Sequence, residues 1–192
     1  SFQPSFKRTA ERKPFIVRGA SDSLPDLFNL NLSHHGEWVV CGCHDYALVG
    51  IDVMNYEEPR LREGETLEDF FSAFETSFTS SEWSQIKSPL DRAARLRQFY
   101  RFWALKESYI KAIGIGMGMK LDDMDFCCRP NEDTATMRLR GSLLEQWHFR
   151  VISLDDNHCI ACALGPVRDS IPSMRKAMSA AFSSESDFTS CI

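Results

Sequence analysis

Two carboxylates and an ammonium group stand out by the elements that carry them. In VGIDVM, side chains two apart share a strand face, so Val49, Ile51 and Val53 point one way and Asp52 points the other with Met54. A carboxylate shown by a strand near a loop suits a hard cation, since Mg²⁺ takes one or two carboxylates together with phosphate oxygens and water. In WALKESYIKA, Trp103, Glu107 and Lys111 recur at i, i+4, so a ring, a carboxylate and an ammonium line one helix face. The bland readings are a solvated strand aspartate and an intrahelical ion pair contributing a few tenths of a kcal/mol. Large apolar residues on an overlapping stripe place that pair partly inside, where ion pairs add little stability and a functional reason gains weight.

A second group is basic. Residues 7–18, KRTAERKPFIVR, set Lys7, Arg8, Arg12, Lys13 and Arg18 against Glu11 alone, a local excess that either meets a small polyphosphate or is simply solvated. His34 and His35 adjoin a strand end, where an imidazole can donate to phosphate. The glycines of IGIGMGM follow a helix and precede a strand, the reverse of a dinucleotide loop, and read as a helix exit. Cys159 and Cys162 face opposite sides of a strand and read as structural thiols.

The elements that must position these groups follow from periodicity and punctuation. DLFNLNLS alternates apolar residues with Asn29 and Asn31 as a half-buried strand does; EWVVCGC and ALVGIDVM make two more, joined at HDY, for three antiparallel strands over 27–54. Residues 57–65 read as a loop. Thr66 precedes LEDFFSAF, Thr79 opens a helix with Glu82 in a capping box, and Ser88-Pro89 opens a long central helix ending near Ala112 or Ile113. MKLDDMDF, TATMRLR, WHFRVISL and HCIACAL are strand candidates; a short helix over 171–182 and a loose tail follow. The class is α+β, an antiparallel sheet packed against a long central helix.

Bulk properties exclude several functions. The 192 residues are 43% hydrophobic and 26% charged, ordinary globular usage. A net charge of −5 argues against a nucleic-acid partner. No apolar window is long enough to span a membrane, and the basic start has no apolar run behind it. Seven scattered cysteines, an odd count, predict reduced thiols in the cytoplasm.

Taken in order, SHHGEWVV, VGIDVM and FWALKESYIKAIGIGMGMKLDDMDF resemble the signatures of the 4′-phosphopantetheinyl transferase superfamily, over about residues 7 to 164. KPFI before the first strand and Met54 after GIDV are most similar to its broad-range, two-half animal members. The resemblance implies transfer of 4′-phosphopantetheine from coenzyme A to a serine of an apo acyl or peptidyl carrier protein, with Mg²⁺, releasing adenosine 3′,5′-bisphosphate. It implies Asp52 and Glu107 as metal ligands, Glu107 also as the base for the serine hydroxyl, and Lys111 as stabiliser of the departing phosphate. It further implies coenzyme A contacts from Arg8, Thr9, Ala10, Glu11, Arg12 and Lys13, from Asn31, Leu32, Ser33 and His34, and from Lys111. A water is expected to complete the coordination position that bacterial members fill with an acidic residue where Met54 stands.

The implied partners are the carrier domain of fatty-acid synthase and a carrier of the aminoadipate-semialdehyde dehydrogenase type. The implied organisation is a remnant of the first half over 1–26 with the basic segment, a second-half domain over 27–166, and a C-terminal extension or tail over 167–192. Two other classes compete. One is a non-catalytic module binding coenzyme A or a carrier protein. The other is a structural domain in which Asp52, Glu107 and Lys111 form only a buried charge network.

Overall fold

A computed structural model describes residues 5–17, 27–116 and 118–179 of the chain. Arg18, the end of the expected 171–182 helix and the expected tail lie outside the described residues. The chain begins with a hairpin of β1 (Ser5–Arg8) and β2 (Pro14–Val17). The next strands are β3 (Asn29–His35), β4 (Trp38–His44) and β5 (Leu48–Asn55). Helices α1 (Leu67–Ser72), α2 (Ser80–Lys87) and α3 (Arg92–Ile113) lead to β6 (Met124–Cys127), β7 (Thr134–Leu139) and β8 (Ser142–Leu143). Strands β9 (His148–Ser153) and β10 (His158–Gly165) and helix α4 (Pro172–Ser179) complete the order. The main sheet is antiparallel in the order β5-β10-β9-β7-β6, with β8 beside β7, and α3 lies across β5 and β10. This is the α+β arrangement that the sequence predicts.

Local chemistry explains the helix starts. Thr66 and Thr79 each cap a helix through reciprocal bonds with Asp69 and Glu82, satisfying backbone donors that would otherwise be orphaned. The long helix begins later than Ser88-Pro89: Asp91 is its cap, accepting from the Ala94 N–H at 2.9 Å. It ends at Gly114, whose φ of 76° is a left-handed conformation that costs glycine no Cβ clash. Apolar residues around most of its circumference are buried, among them Leu96, Phe99, Phe102, Leu105, Tyr109 and Ile113. A helix covered on nearly every side is the core of its domain. Of MKLDDMDF only the second half is strand; Leu121–Asp123 is a 3₁₀ turn.

The three strands over 27–54 do not form one sheet. β3 pairs with β4, whereas β5 pairs with β10. β3 instead meets β5 through side chains. The N–H groups of Val49, Ile51, Val53 and Asn55 donate to Asn29 Oδ1, Asn31 Oδ1, Ser33 Oγ and His35 Nδ1, at 2.9, 2.9, 3.3 and 3.1 Å. The expected polarity of β3 is therefore only partly kept: Asn29, Asn31 and Ser33 are buried along with Leu30, while Leu32 is 45% exposed. Buried backbone donors must be satisfied, and amide and hydroxyl side chains do here what a neighbouring strand would do elsewhere.

Candidate functional site

The site forms where α3 crosses β5. A Cβ on Gly50 would lie 1.9 Å from the Ser108 carbonyl oxygen, so glycine is what allows helix and strand to approach this closely. Two residues along the same strand face, Asp52 meets the helix, and Lys111 Nζ donates to its Oδ1 at 2.6 Å. Ser33 Oγ donates to the same oxygen at 2.9 Å and accepts from Lys111 Nζ at 2.9 Å. With the Val53 N–H also donating to it, the hydroxyl has used its one donor and both acceptor positions. Asp52 is 5% exposed, and its Oδ2 is buried with no hydrogen-bond partner among the described residues.

Glu107 lies one helical turn before Lys111, half-buried. Burial raises its carboxyl above the ordinary range, the Asp52 carboxylate raises it further, and Lys111 opposes both. Burial likewise raises Asp52, against the lowering effect of Lys111 and Ser33. Two carboxylates close enough to perturb one another, one of them with an orphaned buried oxygen, are short of positive charge. Among the described residues no three His, Cys, Asp or Glu side chains gather as a metal cluster. The donor set still fits Mg²⁺, which needs only one or two carboxylates and fills its other positions with water and phosphate.

Glu107 and Lys111 open onto a cavity of about 550 Å³. Its far wall is the β1–β2 turn, which brings Arg8, Glu11, Arg12 and Lys13; Asn31 and Leu32 of β3 and Trp103 of α3 are among its sides. Of the residues expected at the site, Thr9, Ala10, Ser33, His34 and Asp52 do not line this cavity. Thr9 is buried, and its hydroxyl accepts from the Lys13 N–H at 3.2 Å, shaping the turn. Ala10 is exposed on that turn. His34 is exposed and alternates onto the face of β3 away from β5. Asp52 stands behind Lys111. Lys13 lines the wall, yet it is only 6% exposed and its Nζ donates to the carbonyls of Val49 and Ala112 at 3.0 and 2.7 Å.

A two-carboxylate strand–helix junction facing a basic turn is common to many anion sites, and the sequence relationship decides among them. Residues 48–163 match the family model of the 4′-phosphopantetheinyl transferase superfamily. The chain belongs to that superfamily. A phosphopantetheinyl transferase of Thraustochytrium sp. is 41% identical over 162 residues, covering 82% of this chain and 54% of its own length. The L-aminoadipate-semialdehyde dehydrogenase-phosphopantetheinyl transferases of Xenopus laevis and Homo sapiens are 38% and 36% identical, covering 84% and 82% of this chain and 54% and 52% of theirs. The chain thus spans about half the length of these phosphopantetheinyl transferases. No helix among the described residues is long and apolar enough to cross a membrane.

Two features of this chain escape the sequence reading. The polar residues of β3 recur at every second position, Asn29, Asn31, Ser33 and His35, a period-2 signal for one face that the apolar alternation masks. Lys106, in the same LKES run as Glu107, is 1% exposed and pairs with fully buried Glu82 at 2.7 Å. The capping box over 79–82 marks Glu82 as a helix-start residue, and nothing in the spacing signals its second partner.

Proposed function

We propose that the chain transfers 4′-phosphopantetheine from coenzyme A to a serine of an apo carrier protein, releasing adenosine 3′,5′-bisphosphate. The observation that carries this reading is the raised Glu107 carboxyl at the mouth of a basic-walled cavity, beside a buried Asp52 with an unpartnered oxygen. Asp52 Oδ2 and Glu107 would hold Mg²⁺, which supplies charge neutralisation at the pyrophosphate when bound. Glu107 takes the proton of the serine hydroxyl. The serine oxygen then bonds to the β-phosphorus as the bond to the bridging oxygen breaks. Lys111, which donates to Asp52 Oδ1 at 2.6 Å and lines the cavity, would stabilise the charge gained by the departing phosphate. Arg8, Arg12 and Asn31 line the wall and would meet the nucleotide end.

The carrier is proposed to be of the aminoadipate-semialdehyde dehydrogenase or fatty-acid synthase type. The six described cysteines are all free, which supports a cytoplasmic setting. The domain division at 26/27 and 166/167 is proposed with the same reading. Purified chain, apo carrier protein, labelled coenzyme A and Mg²⁺ test it. A carrier mass increased by one phosphopantetheine is the expected result. Retained coenzyme A binding with no transfer overturns it in favour of a binding module.

A further inference from the structure

The cavity's far wall is only a turn of a two-stranded hairpin, and two strands alone hold a shape poorly in water. Lys13 ties one side of it to Val49 and Ala112, and the C-terminal segment is placed to brace it further. Trp147 Nε1 donates to Asp169 Oδ2 at 2.8 Å, and the Ile171 N–H donates to the Ile113 carbonyl at 3.3 Å, which fixes the entry to α4 against the end of α3. Ser173 Oγ then donates to Glu11 Oε2 at 2.5 Å, 162 residues away in the chain. That bond is the main reason the Glu11 carboxyl is held below its ordinary range. Met174, 2% exposed, packs behind the same wall: its Sδ would lie 2.9 Å from a Cβ on Gly114, and it borders a crevice with Thr9, Lys13 and Pro14.

Glu11 has no use as a ligand for a polyphosphate, because a carboxylate beside Arg8 and Arg12 repels the anion those groups attract. Its use is structural to the wall. The turn it belongs to is tight: Arg12 has φ 70°, the Arg12 N–H donates to the Thr9 carbonyl, and the Thr9 N–H donates to the Lys13 carbonyl. Tying Glu11 to α4 therefore orients Arg8 and Arg12 as a unit. We propose that Ser173 and Met174 are positioning residues for the anion-binding wall of the cavity, so that the segment after β10 sets coenzyme A affinity without touching coenzyme A. The inference rests on the reading of this cavity as the coenzyme A site.

The test measures coenzyme A binding by titration calorimetry, and transfer kinetics, for the chain and for Ser173→Ala, Ser173→Thr, Ser173→Asp and Met174→Ala. A hydrogen bond to a charged group lost at the wall predicts that Ser173→Ala weakens coenzyme A binding about tenfold, with KM rising by the same factor and kcat at saturation within about twofold. Ser173→Thr retains binding, and Ser173→Asp, which sets a second carboxylate against Glu11, weakens it more than alanine does. Amide exchange supplies an independent readout: Ser173→Ala speeds exchange at Arg12 and Thr9 and leaves β5 and β10 unchanged. Binding by Ser173→Ala within twofold of the parent chain, or unaltered exchange at the turn, overturns the proposal. A parent chain that binds no coenzyme A sinks the functional reading instead, and the exchange arm then decides the role of Ser173 alone.

Discussion

Helix α3 carries two lysines five residues apart that each meet a carboxylate, and the two pairs are built to different ends. Lys106 and Glu82 are 1% and 0% exposed, and every bond they need is present. Lys106 Nζ also donates to the carbonyls of Leu121 and Met124, both at 2.7 Å. Glu82 accepts from the N–H groups of Thr79 and Phe126 at 2.8 and 2.9 Å. Lys111 and Asp52 are left unfinished: the lysine is 29% exposed and one carboxylate oxygen has no partner among the described residues. A closed buried pair fixes α2 and β6 to the helix. An open one, facing a cavity and a second carboxylate, retains unspent charge for something that arrives.

The contrast is broken most severely at its functional end. Glu107→Gln removes the base and one proposed metal ligand, and transfer is expected to fall by roughly 10²–10⁴-fold with the thermal midpoint little changed. Carrier mass gain followed against time, alongside a melting curve, checks both halves; turnover at the parent rate removes Glu107 from the chemistry. Lys106→Met acts oppositely. It strands Glu82 as an uncompensated buried charge, so urea unfolding should show a loss of about 3–5 kcal/mol. Adding Glu82→Gln to it should restore part of that loss. Lys111→Met is expected to cost less stability than Lys106→Met, because Lys111 is itself 29% exposed and water can take its place, while costing more activity.

How far these roles were legible follows from the kind of signal each leaves. The i, i+4 spacing of Trp103, Glu107 and Lys111, the helix start at Thr66, the capping box at Thr79 and the glycine exit at Gly114 are local, and the sequence predicts them where they occur. The start of α3 slipped because Ser88-Pro89 and Asp91 are both good openings, and the aspartate side chain takes the cap. Asp52 was placed on the correct face of its strand, but its burial was not visible, since it depends on how α3 crosses Gly50. Long-range partners leave no spacing at all: Glu82 to Lys106, Ser173 to Glu11 and Lys13 to Val49 span 24 to 162 residues. Ser33 is the instructive case. The resemblance implies it as a coenzyme A contact, and its hydroxyl is engaged by Asp52, Lys111 and Val53 before any ligand arrives.

That difference can be sharpened with one methyl-sized change. If Ser33 positions the carboxylate and ammonium, Ser33→Ala frees Asp52 Oδ1 and Lys111 to drift, and kcat should fall about tenfold while coenzyme A affinity stays within about twofold. If the hydroxyl is instead a ligand contact, affinity falls first and kcat is spared. Calorimetry and saturation kinetics on the same preparation separate the outcomes.

Lys13 supplies the most local test, a second buried lysine, this one with no carboxylate in its hydrogen-bond set among the described residues. Burial lowers its pKa from 10.5 to about 7, against nothing that restores it. Between those values the unfolded chain binds a proton that the folded chain does not, so the contribution of this residue to stability rises with pH across that window and is flat below it. Lys13→Met removes the proton and the slope together. The difference in unfolding free energy between parent and variant should therefore grow by up to about 1.4 kcal/mol per pH unit from about pH 7 to pH 9. A flat difference means that the amine stays protonated in the fold, which requires water or an anion to reach it from the cavity side. In that case Lys13 joins Lys111 as a charge held for a ligand, and the division between closed and open lysines runs through the cavity wall rather than along α3.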